Sequence, residues 1–157
     1  MIKTATLALF ALAAVLSSPV HAGESTPEAY VPGMGEIMGA TQMRHAKVWF
    51  AGEASNWDLA QYELDEIEEG FADAVAYHPT FKQGARIADI LPRFVTEPVD
   101  DLRKAAKAKD KAQFARAFDR LTEGCNACHA ATGNSFIKIK RPAPGLYSNQ
   151  DFTARTE

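Results

Sequence analysis

The chain has 157 residues, of which 46% are apolar, 10% aromatic and 24% charged. Those proportions fit one globular domain and exclude a disordered or collagen-like chain. A formal net charge of −3, with no Lys/Arg-rich run, excludes a basic nucleic-acid surface, and two cysteines make no disulfide framework.

Met1-Ile2-Lys3 carries one positive charge, and Ala5 to Leu16 is apolar apart from Thr6. Ser17-Ser18-Pro19 breaks the run, and Val20 and Ala22 stand at the −3 and −1 positions of a cleavage site. The pattern predicts a secretory signal peptide over 1–22, which leaves 23–157 as a single domain. The apolar run would span roughly 18 Å as a helix, short of the ~30 Å hydrocarbon core, so no stable membrane insertion is expected after cleavage.

Residues 24–32 carry prolines and glutamates and no periodicity, and Pro32 suits the first turn of a helix. A helix is predicted over 33–51, with Met34, Ile37, Met38, Thr41, His45, Val48 and Trp49 on one face and Gly52 as its stop. Asn56 is a candidate N-cap for a second helix, 57–78, whose stripe is Leu64, Ile67, Phe71, Val75 and His78. Glu63, Asp65, Glu66, Glu68 and Glu69 read as its solvated face, and Pro79 ends it. Residues 79–98 form a long connection in which Ile87, Ile90, Leu91 and Phe94 predict a short helix over the core.

Pro98 opens a third helix, 98–109, with Val99, Leu102 and Ala106 facing inward. Asp110 can cap a fourth, 111–132, with Phe114, Phe118, Leu121, Cys125 and Cys128 in its stripe and Gly133 as its stop. The tail, 134–157, has two prolines and is predicted to be extended. No segment alternates long enough to predict a sheet. The expected fold is therefore all-α: an antiparallel four-helix bundle over about 33–132 with an extended C-terminal tail.

Cys125-Asn126-Ala127-Cys128-His129 reads C-x-x-C-H, the attachment signature of haem c. The two thiols add to the two haem vinyl groups, and the next residue offers its imidazole to the iron. On a helix Cys125 and His129 lie one turn apart on the same side. A thioredoxin-like pair would need a βαβ context and zinc four ligands, with only His45 and His78 left to help; a plain disulfide is the remaining competitor. The exported context and the motif together predict one covalent haem c, with Cys125 and Cys128 as thioethers and His129 as the proximal iron ligand, in a bacterial periplasm.

A helical bundle with C-x-x-C-H on its last helix resembles the class II cytochromes c, the group of cytochrome c′ and cytochrome c-556. The resemblance covers about 33–132 and implies a haem on the last helix with the first helix on its distal side. The chain departs from it in the added tail and in the apolar content of 79–98.

No methionine follows His129, and Met34, Met38 and Met43 share one upstream window with His45. The resemblance to cytochrome c-556, carried by Ile37-Met38 and Arg44, implies Met38 as the distal ligand, with His45 as the alternative. Because His45 lies about 10.5 Å further along a straight helix, only one of the two can reach one iron. Arg44, Lys138, Lys140 and Arg141 are candidates to pair haem propionates, and Phe136 and Ile137 to pack on the haem edge. The leading expectation is a soluble electron carrier, not an enzyme, that meets redox partner proteins transiently; a homodimer is left open. The alternative is a cytochrome c′-like protein that binds nitric oxide or carbon monoxide at an open iron.

Overall fold

Gly33, in an extended conformation, starts α1 (Met34–Glu53) in this computed structural model, which describes residues 29–147 and 149–154. The expected leader, 1–22, lies outside the described residues. The described residues from Val31 onward form one compact unit. Pro32 precedes the N-cap and so stands outside the helix rather than in its first turn.

Gly52 does not end α1. It is buried inside the helix, and a Cβ there would collide with the Phe114 ring, so this glycine serves close packing. The stop comes at Ser55, whose φ of +58° reverses the chain. Ser55 N donates to Gly52 O and Asn56 N to Ala51 O, which satisfies two end carbonyls.

Helix α2 (Trp57–Tyr77) starts as expected, with the Asn56 side chain accepting from Leu59 N at 3.2 Å. Pro79 follows its C-cap, His78, whose ring bonds the Pro32 carbonyl at 2.8 Å. The connection then departs from a plain linker. A small antiparallel hairpin pairs β1 (Thr80–Phe81) with β2 (Ala85–Arg86), a pairing too short to leave an alternating pattern. Helix α3 (Ile87–Leu91) runs through a π turn, Pro92–Thr96, into α4 (Glu97–Lys107). Ile87, Leu91, Val95, Val99, Leu102 and Ala106 form one buried stripe along this rod. Ile90 stays outside it, and Phe94 is half-buried against the core.

Helix α5 (Lys111–Ala131) is capped by the Asp110 side chain, which accepts from Gln113 N at 2.9 Å. The fold is all-α apart from the hairpin. Helix α1 packs on α2, α4 on α5, and cross-contacts join α2 to α4 and α1 to α5. Three contacts set the α1–α5 direction: His45 meets Thr122, Trp49 meets Phe118, and Gly52 meets Phe114. Numbers rise on one helix as they fall on the other, so the two run antiparallel.

Most of the acidic face of α2 is exposed, as expected, with Asp65 and Glu68 both paired to Arg103 of α4. Glu63 is the exception. It is 1% exposed and faces α1, where Arg44 lies 3.1 Å and Lys47 4.0 Å away. Among the described residues no helix is long and apolar enough to cross a membrane.

Candidate functional site

The last turns of α5 place Cys125, Cys128 and His129 on the wall of one cavity of about 420 Å³. That volume falls within the range of small-molecule and cofactor sites. Helix α1 lends Met34, Met38 and His45 to the same cavity, α2 lends Phe71, and the rod lends Leu91 and Val95. The lining is therefore mostly apolar. Gly124, next to the motif, lets α5 approach the π turn: a Cβ there would collide with the Phe94 carbonyl oxygen.

Cys125 and Cys128 are not joined to each other by a disulfide. Burial, and then the neighbouring Cys128, push the Cys125 thiol up to about 12; burial also pushes Cys128 up. Reactive C-x-x-C pairs need the opposite, a depressed thiol pKa. These two also lie at the C-terminal end of a helix, where the macrodipole disfavours a thiolate. Among the described residues no group of three or more His, Cys, Asp or Glu is arranged to hold a bare metal ion. A bare zinc ion would need about four such donors, whereas an iron already seated in a macrocycle would ask the protein only for axial donors.

His129 Nδ1–H donates to the Ile137 carbonyl at 3.1 Å, which leaves Nε2 as the lone-pair nitrogen of the ring. The tail is drawn back over α5 to make that bond. Gly133, with φ +73°, turns the chain, and Asn134 N donates to His129 O at 2.7 Å. The Asn126 side chain grips Ile139 twice, donating to its carbonyl at 2.9 Å and accepting from its N–H at 2.8 Å. Asn134 in turn accepts from Lys82 Nζ at 2.8 Å. Nothing in the sequence around Asn134, Lys82 and Thr122 marks these roles; Asn126 carries a signal only through its place inside the motif.

The α1–α5 register, continued toward the N-terminus of α1, sets Met38 level with His129, and both line the cavity. His45 lies two turns further along α1. It is 4% exposed, stacks on Phe118 at 4.3 Å, and its Nε2 lies 3.0 Å from Thr122 Oγ1. Burial pushes its pKa down to about 4, so the ring is neutral at pH 7.

The other candidates are dispersed. Met34 joins the main cavity, whereas Met43 lines a second one of about 420 Å³ with Lys138, Lys140 and Arg141. His45 borders both cavities. Arg44 is engaged by Glu63 and Glu66. Arg141 forms a two-pronged pair with Asp119 and lies over Trp49. Phe136 and Ile137 line the main cavity yet stay 76% and 40% exposed. His78 is not part of the lining of either cavity. The chain matches no family profile, no curated protein and no solved structure.

Proposed function

We propose that this chain is a periplasmic c-type cytochrome that carries single electrons between redox proteins and catalyses no bond-making of its own. One observation carries the proposal: C-x-x-C-H lines a mostly apolar cavity of cofactor size, with Nδ1 of His129 committed to a carbonyl and Nε2 left as a donor. Cys125 and Cys128 would hold the haem as thioethers, each sulfur bonding a vinyl carbon while the thiol proton passes to the neighbouring carbon. His129 would offer Nε2 to the iron from α5, and Met38 its thioether sulfur from α1. Bound haem supplies reversible one-electron iron chemistry.

The chain's residues account for the rest. Apolar side chains from α1, α2 and the rod would pack against the faces of the haem. An imidazole and a thioether that both stay bound would leave little to reorganise on electron transfer, and a thioether ligand would favour a high potential. The long helices α1, α2, α4 and α5 form an antiparallel four-helix bundle of the class II cytochrome c kind, with 134–157 as an added tail. The antiparallel register of α1 and α5 supports this assignment.

The test is covalent haem. Protein from an expression host that matures c-type cytochromes should keep haem through acid–acetone extraction and denaturing electrophoresis. Replacing both cysteines (Cys125→Ala with Cys128→Ala) should abolish retention. Native protein with two titratable thiols and no haem would overturn the proposal.

A further inference from the structure

We infer that the tail is a positioning element for His129: Asn126 and Asn134 anchor the segment on either side of Ile137, and the fixed Ile137 carbonyl sets the tautomer and donor strength of the imidazole. The inference rests on the haem proposal above and adds a determinant of potential, the Ile137 carbonyl, that lies outside the haem motif.

Apolar burial does not hold this part of the tail. Phe136 and Ile137 are 76% and 40% exposed. Hydrogen bonds hold it instead. On one side, Ile137 N donates to Asn134 O at 2.9 Å. Asn134 is 8% exposed, and its amide donates to the Thr132 carbonyl and hydroxyl at 3.1 Å each while its oxygen accepts from Lys82. On the other side, the Asn126 amide satisfies both the N–H and the C=O of Ile139, as a neighbouring strand would. The carbonyl between these anchors is the one that accepts Nδ1–H of His129.

The chemical consequence follows from the ring. A carbonyl that accepts Nδ1–H draws that proton outward and leaves more electron density on the ring. Nε2 then becomes the stronger donor, which favours the more highly charged state of a metal it binds. The tail therefore lowers the potential that histidine and methionine ligation alone would give.

The full haem-bearing chain is compared with Asn126→Ala, Asn126→Asp and Ile139→Pro. The first removes both bonds to Ile139. The second keeps only the acceptor. The third removes the Ile139 N–H, together with a side chain at the cavity edge, and leaves the motif helix untouched. Exchange of the His129 Nδ1 proton, read by NMR in the reduced protein, should accelerate about tenfold in Asn126→Ala, the equivalent of one ordinary hydrogen bond. The midpoint potential should rise in the same variant, with Ile139→Pro falling between it and wild type; Asn126→Asp is read by the Nδ1 exchange alone, because its added carboxylate charge lowers the potential by itself. Unchanged exchange and potential in Asn126→Ala and Ile139→Pro proteins that retain covalent haem and native helicity would overturn this inference and leave the cytochrome proposal standing. Wild-type chain without covalent haem would overturn both. A purely structural role predicts lower melting temperature with no ordered change in potential, and that outcome also counts against the inference.

Discussion

His45 Nε2 lies 3.0 Å from Thr122 Oγ1, tying α1 to α5 inside the core. The Thr122 hydroxyl donates its own proton to Phe118 O at 2.9 Å, so its oxygen must accept and the ring must donate. Burial pushes the His45 pKa down from 6.5 to about 4. Between those values the unfolded chain binds a proton that the folded chain does not. Stability therefore rises with pH across that window, is complete above about pH 6.5, and is lost as pH falls toward 4, by roughly 3 kcal/mol in all. Urea unfolding at a series of pH values should show this slope, and His45→Gln should flatten it. An equal slope in His45→Gln would assign the titration to another group.

Gly124 faces the backbone of the π turn, and a Cβ there would strike the Phe94 carbonyl oxygen. Backbone cannot swing aside as a flexible side chain can. Gly124→Ala should therefore cost about 1–3 kcal/mol, despite the better helix propensity of alanine. Thermal melting checks it; an unchanged midpoint would mean that the turn does not press on α5.

The start of each long helix was easier to read in the sequence than its end, for a physical reason. Asn56 and Asp110 cap through their own side chains, so their identity signals the start. Helices α1 and α4 stop through Ser55 and Lys109, ordinary residues held at φ +58° and +56° by backbone bonds. Gly52 carried the opposite signal: it looks like a stop but is kept for contact with Phe114. The same split runs through the site. C-x-x-C-H is visible because its chemistry lies in side chains. The hold on His129 is not, because its acceptors are the carbonyls of Ile137 and Ile139, which any residue would carry. Glu63 carries the pattern of a surface residue because the cations that pair its carboxylate, Arg44 and Lys47, belong to another helix.

Glu63 makes a further prediction. Its carboxylate is buried between α1 and α2 and satisfied by Arg44 at 3.1 Å. Removing one partner of a buried pair leaves the other charge uncompensated. Here Arg44 keeps Glu66 at 2.7 Å and part of its surface in water, which limits the loss. Glu63→Ala should cost about 1–3 kcal/mol at pH 7, while removal of the exposed partner in Asp65→Ala should cost within about 1 kcal/mol. Denaturant unfolding distinguishes the two; equal effects would show that burial does not set the strength of these pairs.

The distal ligand decides between electron transfer and gas binding. The contacts of His45 with Thr122, Trp49 with Phe118 and Gly52 with Phe114 fix one antiparallel register, and that register carries Met38 to the level of His129. His45 stands two turns away, and its Nε2–H is committed to Thr122. Met38→Ala in the haem-bearing protein should therefore convert low-spin iron to high-spin and let carbon monoxide bind readily, as read from the absorption spectrum. His45→Ala should leave the spin state unchanged and lower the unfolding midpoint, because Thr122 loses its donor and Phe118 its stacking partner. If His45→Ala were the variant that opens the iron, α1 would still be the distal helix but with the other side chain as ligand. Native protein that is already high-spin and takes up carbon monoxide would move the function to gas binding, with Met34 and Met38 acting only as apolar walls around an open coordination position.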